Sequence, residues 1–248
     1  MTEPSPADPA APAWLRRLAA SAAVMEVPPV LVPPASGGRR SAVLVLFGEG
    51  ADGPDLLYIQ KNEGLRRHAG QPAFPGGKIE DSDEGPVAAA LREAAEETGL
   101  DPAGVDVLAT LPELFVVASQ FRVVPVLGWW REPSAVRPVD IGEVAAVERV
   151  SVASLADPAN RVMVGYPDGR RGPAFRIGSM MIWGFTGLIT DRLLDLGGWQ
   201  RPWNDSVVPD IPREVLLRPA AGGERSASQL PDGGQLSGRS GYRGRRAR

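Results

Sequence analysis

The sequence predicts an α/β sandwich. Three observations carry that reading: a continuous apolar run of strand length from Ser41 to Gly48, a helix bounded by Pro86 and Gly99, and strand-like stretches interleaved between that helix and a second one ending near Leu196.

Residues 1–12 are rich in Pro and Ala and are expected to be disordered. Ala13 to Met25 places Trp14, Leu15, Leu18 and Ala22 at helical spacing, which predicts a short amphipathic helix packed on the domain. Val27 to Gly38 carries two Pro-Pro pairs and is expected to be an extended arm, neither helix nor central strand. Residues 1–37 therefore form an N-terminal arm, and the domain proper is set at 38–200.

Ser41 to Gly48 is apolar at every position of its interior, the pattern of a strand buried on both faces. Asp52-Gly53-Pro54 turns the chain, and Leu56 to Lys61 returns as its hairpin partner. In the next helix Pro86 suits the first turn, where its missing N–H costs nothing, and Gly99 suits the end. Val87, Ala88, Leu91, Ala95 and Thr98 are expected on one side, with Glu93, Glu96 and Glu97 on the other. Val105 to Leu111, Leu114 to Ser119 and Phe121 to Trp130 read as strands, with a turn at Ser119-Gln120. Val144 to Val152 is strand-like, Leu155 to Pro158 is expected to turn, and Arg161 to Tyr166 and Ala174 to Ile177 form hairpin arms around Pro167-Asp168-Gly169. The last helix is predicted from Met180 to Leu196 through Ile182, Phe185, Ile189 and Leu193, with Trp183 and Trp199 as core aromatics. Residues 201–217 offer Trp203, Val207, Val208 and Leu216 as a packed extension, and 218–248 read as a disordered basic Gly/Ser/Arg tail.

Composition limits the chemistry. The 248 residues suffice for one substantial domain with tails. Without cysteine, disulfides, thiolate catalysis and Cys-based zinc sites are excluded, and the single His68 excludes a multi-histidine metal centre. His68 is either an ordinary loop histidine or a contact for substrate phosphate. The tail's seven arginines against Glu224 and Asp232 give it +5, so the remainder of this net −3 chain carries −8. A catalytic region so acidic is a poor nucleic-acid binder, and a short basic run such as the tail is more often solvated than bound to RNA. The start lacks the basic region of a signal peptide, and no apolar run reaches the length of a membrane span; a cytoplasmic location is expected. The abundance of Ala, Gly, Pro and Arg, with only two lysines, suggests a GC-rich bacterial genome.

Three glutamates at i, i+3 and i+4 repel one another by a few tenths of a kcal/mol per pair. One reading is a solvated acidic face with Arg92 as its counter-charge. The other is a site for a hard divalent cation, Mg2+ or Mn2+, held through carboxylate oxygen.

The order Gly76-Gly77, acidic loop, Arg92-Glu93-x-x-Glu96-Glu97-x-Gly99-Leu100 favours the second, and it resembles the box of the Nudix hydrolases. Six residues, where the family has five, separate Gly77 from Glu84; Glu84 keeps the seven-residue gap to Arg92, whereas Asp83 keeps the gap from Gly77. Either acid can fill the first position. Upstream, Arg66, Gly70 and Phe74-Pro75-Gly76-Gly77 are similar to the coenzyme A pyrophosphatase branch, although of that branch's earlier motif Leu57 to Asn62 keeps a basic residue, Lys61, at the arginine position and replaces the threonine and serine. Phe121 to Val126, Gly142-Glu143-Val144 and Ile182 to Thr186 also resemble segments of it.

The resemblance implies an α/β/α sandwich with a mixed central sheet and hydrolysis of coenzyme A or acyl-CoA to phosphopantetheine and adenosine 3',5'-bisphosphate. It implies Glu93, Glu96, Glu97 and the Gly77 carbonyl as metal ligands, with Arg92 holding the carboxylates. Glu84 is assigned to the catalytic set. Glu96, Glu143 and Glu148 are the alternatives for general base. Arg66, Gly70 and Phe74 are expected at the substrate, Arg66 gripping a phosphate or else closing the loop by a salt bridge. NADH, ADP-ribose or an oxidised nucleotide is the alternative substrate, a non-catalytic nucleotide sensor the alternative role, and a homodimer one option for assembly.

Overall fold

The computed structural model describes residues 11–64, 70–166 and 169–206. Arg66, His68, Val207, Val208, Leu216 and the basic tail lie outside the described residues.

A large mixed sheet divides the molecule. Its central strand, β1 (Arg39–Gly50), runs antiparallel to β2 (Gly53–Lys61) and parallel to β7 (Phe121–Trp130), which pairs in turn with β5 (Val105–Thr110). Short strands complete it: β3 (Pro72–Ala73) and β8 (Val144–Ser151) on β2, β4 (Gly76–Lys78) on the first half of β1, and β6 (Leu114–Val116) on β7. The two-residue alternation of β1 feeds both faces, as its apolar run requires. Ala42, Leu44 and Leu46 pack with Ala89, Ala90 and Ala94 of α2 (Pro86–Thr98), while Val45 and Phe47 meet Leu15 and Leu18 of α1 (Ala13–Ala23) and Ile189 and Leu193 of α4 (Gly184–Leu196). The product is an α/β/α sandwich.

Helix α1 forms as its spacing predicts, and Trp14 stands edge-on to Phe47 and Trp199, at 5.6 and 5.1 Å between ring centres. Ser119-Gln120 makes the expected turn, with Gln120 at φ 57°. The arm after α1 contains one 3-10 turn, Pro29–Leu31, because a proline suits a helical first position even where it cannot continue a helix.

Four local expectations are corrected. Leu114 to Ser119 is strand only to Val116. The stretch around Leu155 is a short helix, α3 (Val152–Ala156), because the Ser151 side chain accepts the Ser154 N–H and caps it. Met180–Ile182 is β11, paired with β10 (Arg171–Ile177), which also pairs with β9 (Arg161–Gly165); helix begins only at Gly184, at φ 66°. The buried side of α2 is Ala89, Ala90, Ala94, Glu97 and Thr98, so Glu97 belongs to the inward row and not to an open acidic face. Alanines at three of these positions let the helix lie close on β1.

Candidate active site

Helix α2 is launched and ended by backbone geometry. Gly85, at φ 122°, swings the chain into Pro86, and Gly99 ends the helix in the left-handed region with its N–H donated to Ala95. Between these points the three box glutamates meet different surroundings. Glu97 is buried at 3% exposure, Glu93 is half-buried, and Glu96 is exposed.

Glu97 is held by two donors from different strands. Its Oε2 accepts the Gly76 N–H at 2.9 Å, and its Oε1 lies 2.5 Å from the Lys61 ammonium, which also donates to Glu143 Oε1 at 3.1 Å. Burial raises the Glu97 carboxyl above its ordinary range, with Lys61 and the Gly76 N–H pulling the other way. Burial also depresses the Lys61 ammonium, but the Glu97 charge and hydrogen bond, joined by Glu143, outweigh it and leave Lys61 raised.

Arg92 organises the other half. Its guanidinium donates to Asp83 through Nε at 2.9 Å and Nη2 at 3.0 Å, to Glu93 at 3.1 Å, to Glu96 at 3.0 Å and to the Lys78 carbonyl at 3.1 Å. Burial raises the Glu93 carboxyl while Arg92 draws it back. Glu93 sits directly over Gly77, where any Cβ would collide with its carboxyl group. The cradle is therefore shaped by the absence of a side chain at Gly77.

Of the two acids that can fill the first position of the box, Asp83 and Glu84, the structure ties Asp83 to the carboxylate helix. Asp83 receives the two-point grip of Arg92 and also accepts the Glu80 N–H at 2.8 Å, closing a turn that absorbs the extra residue of the loop; Glu84 is exposed beyond it. Phe74, expected at the substrate, is 2% exposed and stacks on Tyr58 at 5.1 Å, in the core on the opposite face from α2. Gly70 lies at φ 68° in the turn into β3, its N–H donated to the Lys61 carbonyl. Its role there is to shape the chain.

Of the alternatives for general base, Glu96 and Glu143 lie at this cluster. Glu148 does not: its neighbour Val147 packs in the α2-side core, so alternation turns Glu148 to the other face of β8. Sequence reasoning noted Lys61 and Asn62 only within the upstream motif and gave neither a place at the carboxylates. Asn62 donates its N–H to Glu143 O at 2.8 Å and its side chain to Ile141 O at 2.9 Å, latching the loop that carries Glu143 to the end of β2. A polar pair closing a buried strand was the available signal.

The donor set is entirely oxygen, as a hard divalent ion prefers. Among the described residues no three carboxylates are gathered into a preformed metal cage; Arg92 and Lys61 occupy them instead. Nor is any described helix long and apolar enough to cross a membrane.

A mixed-sheet sandwich presenting such a carboxylate helix is the architecture of a hydrolase built around a glutamate-rich box. The NUDIX domain family model matches residues 38–165. NudL of Escherichia coli K12, described as an uncharacterized Nudix hydrolase, is 35% identical over 169 residues, covering 64% of this chain and 83% of its own. The NudL of Shigella boydii matches to the same extent. Among solved structures, the chain is similar to the Nudix hydrolase RenU of M. Smegmatis (25% identity, TM-score 0.38, 46% of this chain and 71% of that one). It is similar also to the NUDIX domain of Shewanella oneidensis NrtR complexed with ADP ribose (22% identity, TM-score 0.39, 48% and 75%).

The chain belongs to the NUDIX family. It is accordingly a hydrolase of phosphorus anhydrides, acting on nucleoside diphosphate-linked compounds.

Proposed function

We propose that this hydrolase cleaves the diphosphate of coenzyme A or an acyl-CoA, giving phosphopantetheine and adenosine 3',5'-bisphosphate, and that it does so with Mg2+ or Mn2+. The observation that carries the metal half of this reading is the Gly77–Glu93 cradle beside buried Glu97: oxygen donors of two exposures on one helix, left room by a missing Cβ. The substrate half rests on the Arg66, Gly70 and Phe74-Pro75-Gly76-Gly77 spacing.

Glu93, Glu96, Glu97 and the Gly77 carbonyl would hold the ion. When bound, it supplies charge neutralisation on the phosphates and a water acidic enough to attack phosphorus. The chain's own part is positional. Arg92 fixes Glu93 and Glu96 while itself anchored on Asp83 and Lys78, a supporting arrangement whose loss typically costs 10–100-fold. Glu96 or Glu143 accepts the proton of the attacking water, both lying at the cluster. Arg66 takes a substrate phosphate; Arg66→Ala should raise the KM for coenzyme A more than that for ADP-ribose.

A second reading, hydrolysis of NADH, ADP-ribose or an oxidised nucleotide, is favoured by Leu57 to Asn62, which lacks the threonine and serine of the branch's earlier motif. The test of the metal site is Glu97→Gln. It should abolish Mg2+-dependent turnover of coenzyme A while circular dichroism shows a retained fold; full activity would remove Glu97 from the site.

A further inference from the structure

Two cations serve the carboxylates of this site, and they are built differently. Arg92 is a clamp, committed by its fork to Asp83 and the Lys78 carbonyl as well as to Glu93 and Glu96. Among the described residues, Lys61 contacts two carboxylates, Glu97 and Glu143. Its side chain is 13% exposed, that of Glu97 4% and that of Glu143 49%. A lysine is a compact point charge on a four-carbon stem, able to change partners by rotation, where a guanidinium fork cannot. Thus the most buried carboxylate of the site is neutralised by the more easily displaced cation. Glu143, its other partner, is carried on a loop already fixed through Asn62, so it stays in place without Lys61 bound to Glu97.

We propose that Lys61 is a placeholder cation: it neutralises Glu97 in the metal-free protein, yields that carboxylate to a divalent ion, and remains on Glu143. This rests on the reading of Glu97 as a metal ligand. Two effects follow with the same sign. While Lys61 occupies Glu97, only a fraction of molecules is competent to bind, and apparent affinity falls by that fraction. Once displaced, its charge remains near a dication and repels it. Removing the charge should therefore tighten metal binding, yet leave the metal-free protein with an uncompensated buried carboxylate.

The experiment is titration of the full chain at pH 8 with Mn2+ alone, following free Mn2+ by electron paramagnetic resonance and Tm in parallel. The proteins are wild type, Lys61→Met, Lys61→Gln, Lys61→Arg and Glu97→Gln. Lys61→Met and Lys61→Gln should each bind Mn2+ about tenfold more tightly than wild type. Their metal-free Tm should fall, and their rise in Tm on loading should exceed that of wild type. Lys61→Arg, which keeps the charge, should not bind more tightly. An unchanged or weaker Mn2+ affinity in the neutral variant that folds overturns the proposal. Glu97→Gln isolates the assumption beneath it: wild-type Mn2+ affinity there would show that Glu97 is no ligand, whatever Lys61 does.

Discussion

Arg92 and Asp83, nine positions apart, meet side-on through two hydrogen bonds of 2.9 and 3.0 Å, so the helix that carries the glutamates is tied to the loop that precedes it. Hydrogen bonding from Arg92, helped by the Glu80 N–H, holds the Asp83 carboxyl below the usual carboxylate range. A group whose folded pKa lies below its unfolded one contributes stability above the unfolded value and loses it as pH falls through the folded one. Asp83→Asn should therefore flatten the acid limb of a Tm-versus-pH curve and lower kcat on the order of tenfold. Glu84→Gln, at an exposed position, should change neither; the opposite ranking would restore Glu84 to the box.

Gly76 and Gly77 are adjacent and should respond oppositely to alanine. At Gly76 a Cβ would lie 2.6 Å from the Val43 Cα, backbone that cannot retreat, and the φ of 154° adds strain. Gly76→Ala should express poorly or unfold. At Gly77 the obstacle is the movable end of Glu93, so Gly77→Ala should fold with little change in Tm but lose most of its metal-dependent activity. Circular dichroism and initial rates on the two proteins separate these outcomes.

Tyr58 joins the sheet to α4. Thr190 donates to the Thr186 carbonyl at 2.9 Å, which leaves the Tyr58 hydroxyl to donate to Thr190 at 2.9 Å. Burial raises the Tyr58 hydroxyl far above its ordinary value, so it stays protonated as this bond requires. Tyr58→Phe should cost about 1 kcal/mol, lowering Tm by about 2–4 °C, with kcat unchanged.

Arg161 and Asp191 form a buried ion pair under Trp203, whose ring centre lies 4.6 Å from the guanidinium carbon, with Gln200 also donating to Asp191. Asp191→Ala strands a buried guanidinium and should destabilise by about 3–5 kcal/mol in urea melts. Arg161→Met with Asp191→Leu should recover most of that loss, since neither charge is left alone. A double variant as weak as the single one would show that the pair itself, and not its imbalance, holds this region together.

The sheet was legible where a strand's own residues settle its fate. The apolar run of β1, the hairpin into β2 and the aromatic end of β7 all stand where their patterns place them. Met180 to Ile182 misled because Ile182 and Phe185 face the same core, so apolar spacing continues unbroken across a strand-to-helix junction that only Gly184 marks. The site was legible in its box but not in its partners. Phe74, set among glycines and prolines, resembles an exposed loop residue, and only the distant Tyr58 shows that it is buried. Glu97 looks like one more helix-surface acid until Lys61 and Gly76, from two other strands, are folded against it.

The central claim is tested most directly by Mg2+-dependent hydrolysis of coenzyme A, acetyl-CoA, NADH, ADP-ribose and 8-oxo-dGTP, with products separated by chromatography. The account predicts that the coenzyme A compounds are cleaved fastest, that adenosine 3',5'-bisphosphate is released, and that EDTA abolishes the reaction. Faster cleavage of another compound would contradict the substrate assignment, and no turnover of any of them with Mg2+ or Mn2+ would contradict the catalytic reading of the site.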